Sequence, residues 1–271
     1  MILILTPTLG ESRFLAETVA SVESLRIAKR HVLVAPEPKV QSLRKQFAGC
    51  EVVADAGREG GLYGALNAGL QAAGHGWDCF TYINDDDVLG GDFQGIAKAH
   101  TRCAPRSISY GDVAMIDEDG KRHGLISVEK SSRRFVALLH AGINPVSQLG
   151  MVFGRDLVSE CGGFRPEWRL CGDQEFWLRA LKSGYSFNYF EGEVGCFRLR
   201  PGQLSADTAR MQEEMRRVTL SHFPERPSAL DIFSATWKFR LGNMPRRIRR
   251  MLATGFRSNA AMLSAGRSDT R

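Results

Sequence analysis

The sequence predicts an α/β fold built on a mostly parallel sheet, and three observations lead to this prediction. The 271 residues are 43% apolar and 24% charged, which is the composition of a globular chain with a substantial core. Short β-rich runs alternate with longer helical patterns over the first hundred residues, as in parallel strands joined by crossover helices. No internal repeat and no apolar run long enough to span a bilayer interrupts this order.

Four strand–helix pairs account for the first half of the chain. We predict strands at residues 2–6, 31–35, 52–54 and 80–83, and helices at residues 14–25, 40–47, 62–73 and 93–100. A hairpin follows, with a strand at 112–116 and a turn at 117–120, and then a mixed α and β stretch to about residue 197. A helix at 206–222 precedes a basic segment, so we predict one folded domain over residues 1–222 and a basic helical extension over residues 223–271.

Positive charge is concentrated at the end of the chain. The net charge is +6, and residues 232–271 alone carry nine basic residues and one acid. Residues 233–256 mix these bases with aromatic and large aliphatic side chains, which suits an anionic membrane surface. An amphipathic helix packing on the body is the alternative. The rest of the chain lacks a basic groove, so we expect no nucleic-acid partner.

The six cysteines are spread along the chain without a CxxC pair, which favours a reducing compartment. The N-terminal residues predict a strand in place of a signal peptide. We therefore expect a cytoplasmic protein, with the inner face of the membrane as the place of peripheral docking.

Three consecutive aspartates, Asp85, Asp86 and Asp87, follow the fourth predicted strand. Ligands of parallel α/β sheets bind beyond the carboxyl ends of the strands. Three adjacent carboxylates need a compensating cation or several hydrogen-bond donors. Mg²⁺ or Mn²⁺, shared with the phosphates of a substrate, meets this need. A solvated acidic turn is the alternative, and the position at a strand end favours the metal site.

A glycine-rich stretch, residues 57–61, enters the third predicted helix. Free backbone N–H groups there, with Arg58 beside them, suit a phosphate or a ribose. The spacing matches neither G-x-G-x-x-G nor the P-loop, and a flexible turn is the alternative. Asn67 falls inside this helix, although asparagine has a low helix propensity.

Two acids, Asp173 and Glu175, lie in the first turn of a helix predicted to begin near Gly172. Acids at this position complement the helix dipole, and Glu175 could do only that. The same position would keep Asp173 ionised at neutral pH and able to accept a proton from a hydroxyl group. The residues themselves leave both interpretations open.

In combination and in order, these motifs resemble the family 2 glycosyltransferases with the GT-A fold, over about residues 1–205. The resemblance implies a Rossmann-like nucleotide-binding sheet joined to a mixed, acceptor-side half. The residues that carry it are Thr6-Pro-Thr8, Gly61-Leu-Tyr-Gly-Ala-Leu-Asn67, Ile83-Asn-Asp-Asp-Asp87, Tyr110-Gly-Asp-Val113, Gly162-Gly-Phe164 and Gly172-Asp-Gln-Glu-Phe-Trp-Leu-Arg179.

The family's activity is inverting transfer of a sugar from a nucleoside-diphosphate donor, UDP-, GDP- or dTDP-linked, to a hydroxyl of a glycan or lipid-linked acceptor. Assembly of a cell-surface polysaccharide or glycolipid is the implied setting, with Mn²⁺ or Mg²⁺ as cofactor. The resemblance assigns the base to Asp173 and a second acid to Glu175. It assigns the metal to Asp86 and Asp87 in a DxD-type motif. The donor-binding residues that we predict are Thr6, Pro7, Thr8, Arg58, Gly61, Asn67, Asp85, Asp86 and Arg198.

Departures from the family pattern leave some roles open. Ala35-Pro-Glu-Pro38 replaces the acid-rich loop that contacts the base, and Ser147-Gln148 replaces a His-Gln pair on the acceptor side. Arg198 and Arg200 fall where relatives carry a loop that can close on the donor phosphates, with ordinary surface arginines as the alternative.

Two other functions compete with transfer. A nucleotidyltransferase would carry a glycine-rich loop ending in basic residues after its first strand, whereas here Gly10 leads to Glu11. A catalytically silent carbohydrate-binding or scaffold protein with this fold would be free to lose the carboxylates at positions 85–87 and 173, which are all present.

Overall fold

The computed structural model describes residues 1–55, 60–103, 105–200, 203 and 207–254, which form nine strands and ten α-helices. The strands are β1 (Ile2–Pro7), β2 (Lys29–Ala35), β3 (Glu51–Ala54), β4 (Cys79–Tyr82), β5 (Val88–Leu89), β6 (Ser107–Ile116), β7 (Arg122–Leu125), β8 (Val152–Gly154) and β9 (Ser186–Arg198). The helices are α1 (Leu15–Glu23), α2 (Glu37–Gln46), α3 (Gly61–Ala73), α4 (Phe93–His100), α5 (Phe135–His140), α6 (Arg155–Cys161), α7 (Gly172–Lys182), α8 (Thr208–His222), α9 (Ala229–Gly242) and α10 (Met244–Thr254).

The first half of the chain forms the predicted parallel sheet. Its strands lie in the order β3-β2-β1-β4, and every neighbouring pair is parallel. Ile2 of β1 stands opposite Lys29 of β2 and Cys79 of β4. All residues of β1 are buried, as expected for a strand covered on both faces by crossover helices. The α/β prediction and the alternation of strands and helices are therefore confirmed.

The second half extends the same sheet with mixed pairing. β8 is antiparallel to β4 and β6, whereas β9 is parallel to β6 and antiparallel to the short β5. β7 forms the predicted hairpin with β6. β6 begins five residues before the predicted position 112, because its first residues pair with β8 and β9 in the buried part of the sheet. α2 begins at Glu37, earlier than predicted, because prolines are well suited to the start of a helix.

A chain of aromatic contacts organises the core behind the parallel strands. Phe164 stacks on Phe176 of α7 with ring centroids 4.3 Å apart. The same ring lies 5.8 Å from Tyr63 of α3 and 5.7 Å from Tyr82 of β4. Rings at these distances add specific geometry to the apolar burial. Phe164 therefore fixes α3, α7 and the end of β4 relative to one another.

The two C-terminal helices pack on the sheet domain along one face each. Ala235 and Phe239 of α9 join Ala137 and Leu138 of α5 in a small apolar cluster. Asn243 accepts a hydrogen bond from the N–H of Val128 at 3.0 Å and donates one to its carbonyl oxygen at 3.0 Å. The predicted packing of this segment on the body is thus present, while docking to a membrane stays a prediction. The boundary predicted at residues 222 and 223 also stays a prediction.

No helix in the described part of the chain is long and apolar enough to cross a bilayer. Each of the six cysteines is a free thiol.

A buried histidine in β2 gives the fold a dependence on pH. His31 Nε2 lies 2.9 Å from the Thr6 hydroxyl and Nδ1 lies 3.4 Å from the Cys50 sulfur. Burial, with a contribution from Lys29, lowers the pKa of His31 from 6.5 to about 4. The unfolded chain therefore binds this proton more readily than the folded chain, so folding stability falls as the pH falls from 6.5 towards 4.

We expect His31→Gln to remove this part of the acid sensitivity. Between about pH 7 and about pH 4.5, the wild type should lose about 2 to 3 kcal/mol of unfolding free energy more than the variant. Urea denaturation of both proteins at the two pH values measures the difference. Equal losses in the two proteins would show that His31 is not the responsible group.

Candidate active site

The candidate site lies at the carboxyl edge of β1 and β4. Leu5 stands opposite Tyr82, and the N–H of Ile83 donates to the Leu5 carbonyl oxygen at 2.9 Å. The residues that follow both strands therefore leave the sheet side by side. The Thr8 hydroxyl donates to Asp85 Oδ2 at 2.6 Å, which joins two of the predicted donor-binding residues directly.

The other residues of the Thr6-Pro-Thr8 motif point elsewhere. Thr6 has no exposed surface, and its hydroxyl is engaged with His31 inside the sheet layer. Pro7 is the buried last residue of β1. Thr8 is therefore the residue of this motif that reaches the aspartates. Contact of Thr6 or Pro7 with a donor stays a prediction that these side-chain orientations do not favour.

Asp86 and Asp87 lie adjacent and almost entirely buried, with 5% and 1% exposure. Asp86 Oδ2 accepts hydrogen bonds from Arg200 Nε at 2.5 Å and from Gln203 Nε2 at 3.3 Å. Asp87 accepts the backbone N–H of Arg198 at 2.9 Å and the amide of Asn84 at 3.3 Å. Burial, followed by the charge of Asp86, raises the pKa of Asp87 well above its usual range. The pair thus holds negative charge that its neighbours compensate incompletely.

These residues fit a divalent cation. Among the residues that the structure describes, no three His, Cys, Asp or Glu side chains converge as an all-protein metal site. Mg²⁺ and Mn²⁺ are commonly held by one or two carboxylates together with phosphate oxygens. Asp86 and Asp87 provide adjacent carboxylates: Asp86 is paired with Arg200, and burial together with the charge of Asp86 disfavours the ionised form of Asp87 in the absence of a cation. They are the residues that would hold the ion, with Asp86 engaging one of its two oxygens in the hydrogen bonds above.

Arg198 is buried in the protein, so the alternative of an ordinary surface arginine is wrong for this residue. Its side chain is 1% exposed and donates to the Asp86 carbonyl at 2.8 Å, the Asp117 carbonyl at 3.0 Å and Glu17 at 2.5 Å. The guanidinium carbon also lies 4.3 Å from the centre of the Phe14 ring. Arg198 therefore joins α1, the aspartates and the hairpin turn. Arg200 is the arginine whose side chain lies on the Asp86 carboxylate, and donor contact by Arg198 stays a prediction.

Asp173 lies in the first turn of α7 and is half-buried. The Tyr63 hydroxyl donates to Asp173 Oδ1 at 3.2 Å. The Tyr63 ring can lie here because residue 172 is glycine: an added Cβ would stand 2.6 Å from a ring carbon. Within the described residues Asp173 forms no salt bridge.

The pKa of Asp173 lies above that of an ordinary aspartate. Burial raises it, and the N–H of Gln174 and the hydroxyl of Tyr63 only limit the rise. The helix start therefore does not keep this carboxyl at its ordinary acidity. A carboxylate with a raised pKa is a stronger base, provided that it is ionised at the working pH.

Tyr82 connects the two groups of carboxylates. It is the buried last residue of β4, and burial, then Asp173, Tyr63 and Asp87, raise its pKa well above the usual range. The Phe164 ring contacts both Tyr82 and Tyr63, and the Tyr63 hydroxyl binds Asp173, so Asp173 lies beside the strand that leads to the aspartates. The structure thus brings the predicted base and the predicted metal residues to one edge of the sheet.

Glu175, the predicted second acid, lies in an ion cluster inside the protein. It has no exposed surface and contacts Arg179 Nε at 2.9 Å, His222 Nε2 at 3.0 Å and Arg165 Nη1 at 3.1 Å. Burial works to raise the pKa of Glu175, but His222, Arg179 and Arg165 together lower it. This geometry gives Glu175 a structural role between α7 and α8, and a part in catalysis stays a prediction that its enclosure does not favour.

Asn67 has a structural role that its position in a helix did not reveal. Its amide donates to the Phe164 carbonyl at 2.8 Å, and its oxygen accepts the Phe164 N–H at 2.8 Å. This two-point contact holds the ring that supports Tyr63 and Tyr82. Asn67 therefore positions the site from behind, and direct donor contact stays a prediction.

The start of α3 at Gly61 lies beside the guanidinium of Arg169. An added Cβ at Gly61, whose φ is +54°, would stand 3.0 Å from Nη1 of the exposed Arg169. Backbone N–H groups at a helix start beside a guanidinium suit a phosphate group. Arg58, also predicted to bind the donor, lies outside the described residues.

Three residues near the site were not among those predicted to form it. Tyr63 lies within the Gly61–Asn67 motif, so its place in the sequence is a signal for its position at the site. Arg169 lies just before the predicted helix of Asp173. Glu214 of α8 accepts the N–H groups of Leu170 at 2.7 Å and Cys171 at 2.9 Å and so caps the turn before Asp173. Its spacing in α8 gave no indication of this contact.

Comparison with solved structures identifies the architecture of the chain. No protein-family model matches the chain, and no curated protein matches it. S. aureus TarS superposes with a TM-score of 0.59 at 12% identity over 99% of this chain. Residues 1–349 of TarS in complex with UDP-GlcNAc give a TM-score of 0.62 at 13% identity, over 94% of this chain and 79% of that one.

A second neighbour is the mannosyltransferase PcManGT from Pyrobaculum calidifontis in complex with GDP-Man and Mn²⁺. It superposes with a TM-score of 0.58 at 17% identity, over 98% of this chain and 79% of that one. The chain spans 53% of the length of the longer TarS chain. At these identities the likeness establishes architecture, and the chain therefore has the GT-A glycosyltransferase fold, with a nucleotide-binding type of parallel sheet continued by a mixed half.

Proposed function

We propose that this protein is a metal-dependent, inverting glycosyltransferase that uses a nucleoside-diphosphate sugar. The observation that carries the proposal is the position of Asp173. It is a half-buried carboxylate with a raised pKa, lying at the same strand edge as Asp85, Asp86 and Asp87. The GT-A fold supports it, as do neighbours solved with UDP-GlcNAc, with UDP and with GDP-Man and Mn²⁺.

Different residues of the site have different roles in the proposed reaction. Asp173 accepts the proton of the acceptor hydroxyl as its oxygen bonds to the anomeric carbon, and the bond from that carbon to the diphosphate oxygen breaks. Attack opposite the leaving group inverts the anomeric centre. Tyr63 orients the Asp173 carboxylate through its hydrogen bond. Mn²⁺ or Mg²⁺, bound by Asp86 and Asp87, would supply positive charge against the departing diphosphate.

The proposal extends to the two substrates. We propose a UDP-, GDP- or dTDP-linked donor, with Thr8, Asp85 and the start of α3 on the donor side. The acceptor is a glycan or a lipid-linked saccharide in the assembly of a cell-surface polysaccharide or glycolipid. We propose that residues 1–222 form the catalytic domain and residues 223–271 the extension.

Nucleotide binding tests the donor half of this proposal. Calorimetry with UDP, GDP and dTDP, each with Mn²⁺ and with EDTA, should show metal-dependent binding of one nucleotide. Asp86→Asn should weaken that binding by at least about tenfold, because it removes the negative charge that faces the cation. Asp119→Asn, at the exposed turn of the β6–β7 hairpin, is the matched control and should bind as the wild type does.

The outcomes separate the competing functions. Absence of nucleotide binding under every condition would contradict the transferase and favour a silent carbohydrate-binding or scaffold protein. Binding of a nucleoside triphosphate, with formation of a nucleotide sugar and release of pyrophosphate from a sugar phosphate, would identify a nucleotidyltransferase instead.

A further inference from the structure

α9 has apolar side chains on two opposite faces. Ala235 and Phe239 face the body, and Asn243 follows them four residues on. At 100° per residue, a second apolar row lies nearly opposite this buried face. The second row is exposed: Leu230 (75%), Phe233 (66%), Trp237 (56%) and Leu241 (45%).

α10 is amphipathic, but its basic face is the one that packs on the body. Arg246 pairs with Asp112 at 2.7 Å, and the backbone of Arg250 lies against Gly124 of β7. The apolar side chains of the helix are consequently left outside. They are Met244 (45%), Ile248 (50%), Met251 (43%) and Leu252 (70%).

Together these eight side chains form what we call the C-terminal apolar stripe. They make up eight of the eleven large apolar residues that are exposed in the described part of the chain. Phe233 and Trp237 stack in parallel with centroids 6.4 Å apart, which makes a broad aromatic surface in the middle of α9. Exposed apolar residues gathered on one face of a helix, as on α9, mark an interaction site, whereas isolated exposed apolar residues do not.

The charges around the stripe indicate its partner. Lys238 and Arg240 lie on either side of the apolar row of α9, and Arg247 and Arg249 are exposed on α10. Residues 229–254 contain six basic residues and one acid, Asp231. A second copy of the chain would bring an equally basic surface against this one, whereas an anionic bilayer offers both apolar depth and negative charge.

We propose that the C-terminal apolar stripe docks the protein in the plane of an anionic membrane surface. The aromatic and aliphatic side chains enter the boundary between headgroups and acyl chains, and the flanking bases contact anionic headgroups. The opposite face of α9 and the basic face of α10 stay on the body, so docking needs no unfolding of either helix. The proposal does not depend on the proposed sugar transfer.

Vesicle co-sedimentation of the full chain tests this proposal. Binding to phosphatidylcholine vesicles with about 30% phosphatidylglycerol should exceed binding to pure phosphatidylcholine by at least about tenfold. Phe233→Ser, Trp237→Ser and Ile248→Ser combined should lower binding to the anionic vesicles by at least about tenfold. Leu9→Ser, which removes an exposed leucine remote in sequence from the stripe, should leave it unchanged.

A second variant separates the role of charge from that of the apolar row. Lys238→Gln, Arg240→Gln, Arg247→Gln and Arg249→Gln combined should abolish the preference for anionic over neutral vesicles. Circular dichroism and nucleotide calorimetry check that each variant remains folded. Failure to bind anionic vesicles, or equal binding by the stripe variant, would overturn the proposal. So would a dimer in light scattering that the stripe substitutions convert to a monomer, because a second copy would then occupy the surface.

Discussion

Asp173→Asn is expected to lower the rate of sugar transfer about a thousandfold, since general-base catalysis contributes about 10² to 10⁴ in rate. The amide keeps the size of the side chain and its acceptor oxygen for the Tyr63 hydroxyl, but it cannot take the proton of the acceptor. Nucleotide affinity should stay within about twofold of the wild type, because Asp173 lies on α7 and the metal residues follow β4. Single-turnover transfer and calorimetry on the same preparation measure the two effects.

The pH profile gives this prediction a second readout. Burial raises the pKa of Asp173, so the ionised base is lost on acidification at a higher pH than for an ordinary aspartate. Wild-type transfer should therefore fall as the pH falls through this raised value, and the residual rate of Asp173→Asn should lack that limb. Asp231→Asn, in the first turn of α9, controls for loss of an acid at a helix start. Full transfer by Asp173→Asn would mean that another group accepts the proton.

The sheet could be predicted from the sequence because its signals are local. Strands such as β1 and β4 are short apolar runs bounded by turn residues, and the intervening helices have a clear apolar period. α4 begins and ends at the predicted residues, Phe93–His100. The order of strands in the second half could not be obtained this way. It depends on β9 pairing in parallel with β6 about 80 residues away, which no local pattern records.

The site could be predicted only where position in the fold decides the role. The aspartates follow a strand, and Asp173 begins a helix, so their placement at the sheet edge follows from the topology. Asn67 and Arg198 differ, because their roles are set by partners 97 and 112 residues away. Their residue type and their position in the sequence are compatible with binding a ligand and equally with binding the protein backbone. Only the structure shows that Asn67 binds the backbone of Phe164 and that Arg198 binds backbone carbonyls together with Glu17.

The basic segment shows a further limit of prediction from the sequence. Its composition predicts either membrane docking or packing on the body, as alternatives. In the structure one face of each helix packs on the body while the apolar stripe stays exposed. Two apolar faces on α9 leave room for both interactions, so packing on the body does not exclude docking.

Glu175→Gln is expected to lower the free energy of unfolding by about 3 to 5 kcal/mol, the usual cost of removing one partner from a buried ion pair. The substitution removes the anion from between Arg179 and His222 and leaves a guanidinium that is only 10% exposed without its counter-charge. Because α7 carries Asp173 and α8 carries the Glu214 cap, the loss should also loosen the start of α7. Urea denaturation measures the change as a shift in midpoint at constant m-value.

The pH dependence of this effect has a definite sign. The pKa of Glu175 is lowered, because its cationic partners outweigh the burial that would raise it. Its contribution is therefore present above the pKa of an ordinary glutamate and is lost as the pH falls through the lower folded value. The difference between wild type and Glu175→Gln should shrink on acidification over that range. Glu213→Gln removes an exposed pairing with Arg216 on α8 and should change the midpoint little at any pH. If Glu175→Gln cost no more than this control, the ion cluster would not be what holds α7 against α8, and the aromatic contacts of Phe164 and Phe176 would be left to fix the helix that carries Asp173.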